Sequence, residues 1–266
     1  MTSTLQNARV PDILARIVSV KQAALPALKA RAEGLERLAA DNVGSHRDFA
    51  GALRASPPAV IAEVKKASPS RGLLSKDFDA ARTARQYEAG GAAAVSVLTD
   101  EEFFQGSLAD MEVARAACHL PVLRKDFTID PLHIVEAAAH GADAILLIAA
   151  ILDSVEMRQL RELTESLGLA ALVEVHTADE LQATIDSGAR MIGVNNRDLH
   201  TFEVRLALSL DLAEMIPAGT TRVAESGIFT AADVRRLSDA GYHAFLVGEA
   251  LMKSADPVEA LRGLRG

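Results

Sequence analysis

The sequence predicts an α/β fold of the (β/α)8 barrel type, preceded by an N-terminal helical extension. Short apolar runs alternate strictly with helical stretches from residue 59 onward, and strict βα alternation builds a parallel sheet. Glycine-led segments recur just before these runs: Ala89-Gly90-Gly91-Ala92, His140-Gly141-Ala142-Asp143, Ser187-Gly188-Ala189-Arg190 and Ala240-Gly241-Tyr242-His243. They fall about fifty residues apart, two βα units per repeat, which suits a closed barrel better than an open sheet. The chain of 266 residues is of a length that such barrels commonly fill as one domain. An open doubly wound sheet is the alternative, but no strand here is followed by G-x-G-x-x-G, the dinucleotide fingerprint.

The first 56 residues form the extension, and the whole chain, 1–266, is expected to be one barrel domain with it. Ile13, Leu14, Ile17, Val18 and Lys21 recur at helical spacing after Pro11-Asp12, a good helix start. Leu25–Ala40 reads as a second helix with Pro26 in its first turn. Asp48–Arg54 reads as a third, closed by Ser56-Pro57-Pro58. Periodicity alone leaves open whether these helices cover an apolar end or help to form a site.

Eight strands are expected at Val60–Lys65, Ala94–Leu98, Pro121–Lys125, Ala144–Ala149, Ala171–Val175, Met191–Asn195, Arg222–Ala224 and Ala244–Val247. The helices between them are Phe78–Ala89, Ser107–Ala117, Ile129–His140, Ser154–Leu167, Ala178–Ser187, Ala207–Met215 and Ala231–Ala240, with Pro257–Leu264 after the last strand. The glycine before each repeated strand is expected to take the left-handed conformation that ends a helix. The chain stops soon after that last helix, which leaves no expected room for a fused domain.

Composition narrows the function. Apolar residues make up 49% of the chain and the net charge is −8. A large core is therefore expected, and nucleic acid and anionic membrane are poor partners. The single cysteine, Cys118, excludes an internal disulfide and a cysteine metal cluster, and reads as a buried inert thiol. His176 follows Glu174 closely, but nothing else stands at metal-ligand spacing, so no metal site is expected. The N-terminus has no long apolar core and no cleavage site, and the most apolar run, Ala142–Leu152, is too short to span a bilayer. The expectation is a soluble cytoplasmic protein acting on a small molecule.

Barrel enzymes place their chemistry at the C-terminal ends of the strands. Those ends here carry Glu63 and Lys65, Thr99 and Asp100, Lys125 and Asp126, Glu174 and His176, Asn195 and Arg197, Glu225 and Ser226, and Gly248 and Glu249. A polar rim is ordinary, but charges inside the strand pattern (Glu63, Lys65, Lys125, Glu174) exceed what a solvated rim requires. Strand alternation points Glu63 and Lys65 to one face and turns Glu174 away from Val173 and Val175, so that Glu174 points into the mouth if those two pack outward against helices. Glycines in Glu225-Ser226-Gly227-Ile228 and Gly248-Glu249-Ala250 follow the seventh and eighth strands, where barrels frequently hold phosphate, with Arg197 as a charged donor. Phe103-Phe104 either packs over a ring-shaped substrate or packs a loop.

Glu63-Val64-Lys65-Lys66-Ala67-Ser68-Pro69-Ser70-Arg71-Gly72 resembles the first-strand signature of the indole-3-glycerol phosphate synthase family, a TIM-barrel family of tryptophan biosynthesis. Ser96-Val97-Leu98-Thr99-Asp100, Leu123-Arg124-Lys125-Asp126-Phe127, Leu172-Val173-Glu174-Val175-His176, Gly193-Val194-Asn195-Asn196-Arg197-Asp198-Leu199, Ala224-Glu225-Ser226-Gly227-Ile228 and Leu246-Val247-Gly248-Glu249-Ala250-Leu251-Met252 resemble further family blocks in family order. The resemblance implies ring closure, decarboxylation and dehydration of 1-(2-carboxyphenylamino)-1-deoxyribulose 5-phosphate, without metal or organic cofactor. By that resemblance Lys125 is the general acid, Glu174 the general base and Glu63 a second glutamate that positions or assists. Lys65 lies near the substrate carboxylate or donates the proton, Asn195 orients the reacting groups, and Glu225 is an acid of less defined role. Ser68 falls near the anthranilate carboxylate; Arg197, Ser226, Gly227, Gly248 and Glu249 fall on phosphate positions, Glu249 through its backbone amide. The turn Ser68-Pro69-Ser70 reads as the start of a mobile cover. A monomer, or at most a weak homodimer, is expected. The alternatives are the neighbouring phosphoribosylanthranilate isomerase, which Cys118 is badly placed to serve, and a catalytically silent binding barrel, which the intact acid and base positions disfavour.

Overall fold

The computed structural model describes residues 12–69, 72–75 and 77–266. Pro11, and Ser70 and Arg71 of the first-strand motif, lie outside them. Eight parallel strands close on themselves: Ala59–Val64, Ala94–Leu98, Val122–Lys125, Ala144–Ile148, Ala170–Val175, Met191–Asn195, Thr221–Glu225 and Ala244–Val247. The first strand pairs with both the second and the eighth, Glu63 lying opposite Ser96 and Ala62 opposite Val247. The predicted strands coincide with these to within one residue at either end. A two-residue hairpin, Ala67–Ser68 with Gly72–Leu73, follows the first strand; no periodicity announces so short an element.

Alternation in each strand divides the apolar side chains into two cores. One set faces outward against the helices and includes Val60, Val95, Leu147 and Val173. The other fills the barrel and includes Ile61, Leu123, Leu146, Leu172, Val223 and Leu246. The repeat glycines do end helices in the left-handed region, with φ of 85° at Gly91, 79° at Gly141, 84° at Gly188 and 90° at Gly241. Side chains of Asp79, Ser107, Asp130, Asp153, Thr177, Thr230 and Asp256 accept the first free amides of the helices that follow them.

Among the described residues, three helices precede the barrel: Asp12–Lys29, Ala32–Asn42 and Phe49–Ala55. Pro26 sits inside the first of these, not in the first turn of the second, which corrects the expected boundary. The helix runs on for only three residues past it, to Lys29, where Ala30 N–H still reaches the Pro26 carbonyl; proline lacks a donor but its carbonyl still accepts. The extension serves both ends of the barrel. Phe49 and Leu53 belong to the barrel's inner core beside the strand starts Ala59, Ala94 and Ala244, so the third helix plugs the base. Ile13, Leu14 and Ile17 of the first helix line a pocket with residues from the C-terminal strand ends, so that helix covers the mouth. The second runs between them alongside Pro131–Ala139, where Asn42 Nδ2 donates to the carbonyls of Ala138 and Ala139 at 3.0 and 2.9 Å.

Candidate active site

The twelve residues singled out from the sequence (Glu63, Lys65, Ser68, Lys125, Glu174, Asn195, Arg197, Glu225, Ser226, Gly227, Gly248 and Glu249) all line this one pocket at the barrel mouth. At its centre is Lys125, at the end of the third strand. Its Nζ lies 2.6 Å from Glu174 Oε2 and 3.2 Å from Glu225 Oε2. Strands three, five and seven thus meet at one ammonium. Lys65 forms a second ion pair with Glu63. Below that pair, Tyr87 Oη donates to the Glu63 carbonyl at 3.1 Å and holds the end of the first strand.

These groups are buried, and their protonation follows from that. Burial alone would strip the Lys125 proton, but Glu174, Glu225 and Glu63 outweigh it and hold the pKa above the ordinary lysine range. Burial likewise opposes the charge on Glu174, yet Lys125 and His176 keep its carboxyl well below the usual range. Glu225 goes the other way: burial raises it to about 8, with the Glu174 charge adding and Lys125 only partly offsetting. The site therefore holds a charged acid, an ionised carboxylate and a carboxyl that keeps its proton near neutrality. That combination can donate and accept protons at neighbouring atoms.

Two glycines make room for the glutamates. A Cβ on Gly193 would lie 2.1 Å from Glu225 Oε1, and one on Gly248 would lie 2.2 Å from Glu63 Oε2. The structure thus gives Gly248 a reason that the sequence did not, since it leaves space for a side chain of this chain. Ser226 and Gly227 are consecutive left-handed residues, with φ of 66° and 78°. Asn196 supports that turn by donating to the carbonyls of Glu225 and Ser226 at 3.0 and 3.2 Å. Asn195 Oδ1 accepts from Arg197 N–H at 3.1 Å, and the Arg197 guanidinium lies 3.5 Å from Glu249 Oε2. Phe104 faces Phe127 with ring centroids 6.0 Å apart, and both line the pocket. Phe103 packs under Arg16 of the first helix.

An ionic chain behind the mouth was missed in the sequence. Lys21 Nζ lies 2.6 Å from Asp126 Oδ1 and 3.0 Å from Asp100 Oδ2. Arg124 continues from Asp126 Oδ2, at 3.3 Å, to Glu136 Oε2, at 2.9 Å, and Arg31 closes on Glu136 Oε1 at 2.8 Å. The signal was present in part, since Asp100 and Asp126 stand at strand ends. The three ion pairs to the extension join residues 79 (Lys21–Asp100) and 105 (Lys21–Asp126, Arg31–Glu136) apart in sequence, beyond any periodic pattern.

A family model for indole-3-glycerol phosphate synthase matches residues 14–264. The chain belongs to the indole-3-glycerol phosphate synthase family. It is 50% identical over 266 residues to the indole-3-glycerol phosphate synthase of Aromatoleum aromaticum, covering 96% of this chain and 99% of that one. It is 51% identical over 258 residues to that of Chromobacterium violaceum, covering 95% and 97%. Among solved structures, a 3-hexulose-6-phosphate synthase superposes with a TM-score of 0.62 at 16% identity, covering 78% of this chain and 98% of that one, which shows a shared barrel fold. The enzyme is a carbon–carbon lyase of tryptophan biosynthesis, an indole-3-glycerol phosphate synthase acting on a small-molecule substrate. Among the described residues, no helix is long and apolar enough to cross a membrane.

Proposed function

We propose that Lys125 is the general acid of ring closure and Glu174 its paired general base. The observation that carries this is the 2.6 Å contact between them at the centre of the mouth. Lys125 protonates the ketone oxygen of 1-(2-carboxyphenylamino)-1-deoxyribulose 5-phosphate as the aromatic carbon attacks. Loss of carbon dioxide follows; the hydroxyl then leaves as water, taking a proton from Lys125 that Glu225 has recharged, while Glu174 takes the proton of the adjoining ring carbon. A charged lysine beside an ionised carboxylate supports this order of roles. Glu63 holds Lys65, whose ammonium receives the substrate carboxylate together with Ser68. Asn195 orients the reacting groups. Glu225, protonated near neutrality and 3.2 Å from Lys125, returns the proton that Lys125 gives up. Ser226, Gly227, Gly248, Glu249 and Arg197 form the phosphate end, Glu249 through its amide. No step of this scheme calls for a metal or organic cofactor. One chain carries every group it uses, which suits a monomer or at most a weak homodimer, and the proposed place of action is the cytoplasm.

The test follows the appearance of indole fluorescence on adding the open-chain substrate. Lys125→Ala should abolish turnover while binding of a substrate analogue is kept. Near-normal kcat in Lys125→Ala, with loss in Lys65→Ala, would exchange the roles of the two lysines.

A further inference from the structure

His176 lies one residue past the end of the fifth strand, two residues beyond Glu174. Its side chain is 10% exposed and stands between two carboxylates. Nε2 is 3.3 Å from Glu174 Oε1, and Nδ1 is 3.3 Å from Glu180 Oε2. Glu180 Oε2 also accepts the His176 backbone N–H at 2.7 Å, so one carboxylate grips both the main chain and the ring. Glu180 sits in the first turn of the helix Ala178–Asp186, whose N-cap Thr177 accepts from the Glu180 amide. The ring is held by a rigid element while its other nitrogen stands beside Glu174. Nε2 is buried and makes no aligned hydrogen bond; its contact with Glu174 is one of charge.

Glu174 therefore lies between two cations on opposite oxygens, Lys125 on Oε2 and His176 on Oε1. We propose that His176, gripped by Glu180, is a positioning residue of the reaction: it occupies Oε1 of Glu174, so that Oε2 alone faces Lys125 and exchanges the proton. This rests on Glu174 being the base. An ionised carboxylate with a free second oxygen can rotate away from its acid partner, and a cation on that oxygen prevents this. The cation also keeps the carboxylate ionised beside Glu225, which approaches the same lysine. Among the described residues, the charged groups facing the ring are Glu174 and Glu180, with Lys125 and Glu225 behind Glu174. Burial alone would neutralise the ring, but the two carboxylates raise its pKa to about 9, so it is an imidazolium at neutral pH.

The experiment compares His176→Ala, Glu180→Gln and Glu174→Gln by pH profiles of kcat and kcat/KM. His176→Ala should lower kcat by roughly tenfold or more while KM changes little. Loss of a cation raises the pKa of the remaining carboxylate, so the acid limb of kcat/KM should move to higher pH. Glu180→Gln, which keeps the ring but weakens its charge, should move that limb the same way by less. Added imidazole should restore part of the rate in His176→Ala and none in Glu174→Gln. If Glu174→Gln is inactive while His176→Ala and Glu180→Gln keep the wild-type limb and rate, the positioning role is overturned and the base assignment stands. If Glu174→Gln stays active, the base assignment itself is lost. Should His176→Ala fail to fold, His176→Gln and Glu180→Gln carry the same comparison, and unmoved limbs in both overturn the proposal.

Discussion

Gly193 and Glu225 occupy one space between strands six and seven. A Cβ on Gly193 would lie 2.1 Å from Glu225 Oε1 and 3.3 Å from Leu172 Cδ1. The bare backbone of one strand is what lets the carboxyl of the next reach Lys125.

Gly193→Ala should therefore displace Glu225 and cut kcat by roughly tenfold or more, with an overpacking cost of about 1–3 kcal/mol in stability. In a Glu225→Ala background the obstructed carboxyl is gone, and the same change should add little. The double-mutant cycle in kcat checks this. Equal losses in both backgrounds would show that Gly193 acts through something other than Glu225.

Lys21 joins the first helix to Asp100 and Asp126, both nearly buried. Lys21→Ala leaves two buried carboxylates with less compensation, which should destabilise the fold by about 3 kcal/mol. Because that helix brings Ile13, Leu14 and Ile17 to the pocket, KM should rise more than kcat falls. Denaturant unfolding and steady-state kinetics read the two effects separately. A stability loss with unchanged KM would confine the helix to a structural role.

His133 is buried, and its pKa is lowered to about 4, first by burial and then by Arg124. The unfolded chain binds a proton at this residue as pH drops through about 6.5, while the folded protein resists it until about 4. The contribution is therefore intact above pH 6.5 and declines as pH falls from there to 4. His133→Asn should flatten this decline by an amount on the order of 2–3 kcal/mol relative to wild type. Unfolding curves at several pH values compare the two proteins, and parallel slopes would contradict the assignment.

Cys118 is buried, its thiol lies 3.4 Å from the Ala114 carbonyl, and burial raises its pKa. In the native enzyme it should react with a thiol reagent far more slowly than in denaturant, and Cys118→Ala should keep normal turnover. A fast native reaction that abolishes activity would reopen an isomerase-like role for this residue.

Much of this molecule was legible in its sequence. The strand positions, the repeat glycines and the polar lip are local patterns, because alternation and helical period act over a few residues. The hairpin after the first strand was not legible, being two residues on each side, nor was Pro26 as an interior helix residue. Sequence proximity places His176 beside Glu174, but the grip of Glu180 forms only in the fold. Gly193 lies within a recognisable motif, but its reason appears only when the fold sets Glu225 beside it.

By itself, the sequence determined the barrel, its helical extension and the set of residues at the strand ends, since each depends on short-range periodicity and on which face a side chain takes. The tertiary structure alone decided the pairings. Closure of the sheet brings strands three, five and seven to one lysine, and it sets the first and third leading helices at opposite ends of the barrel. Which carboxyl keeps its proton follows from those pairings, because burial and neighbouring charge act through distance in space and not along the chain.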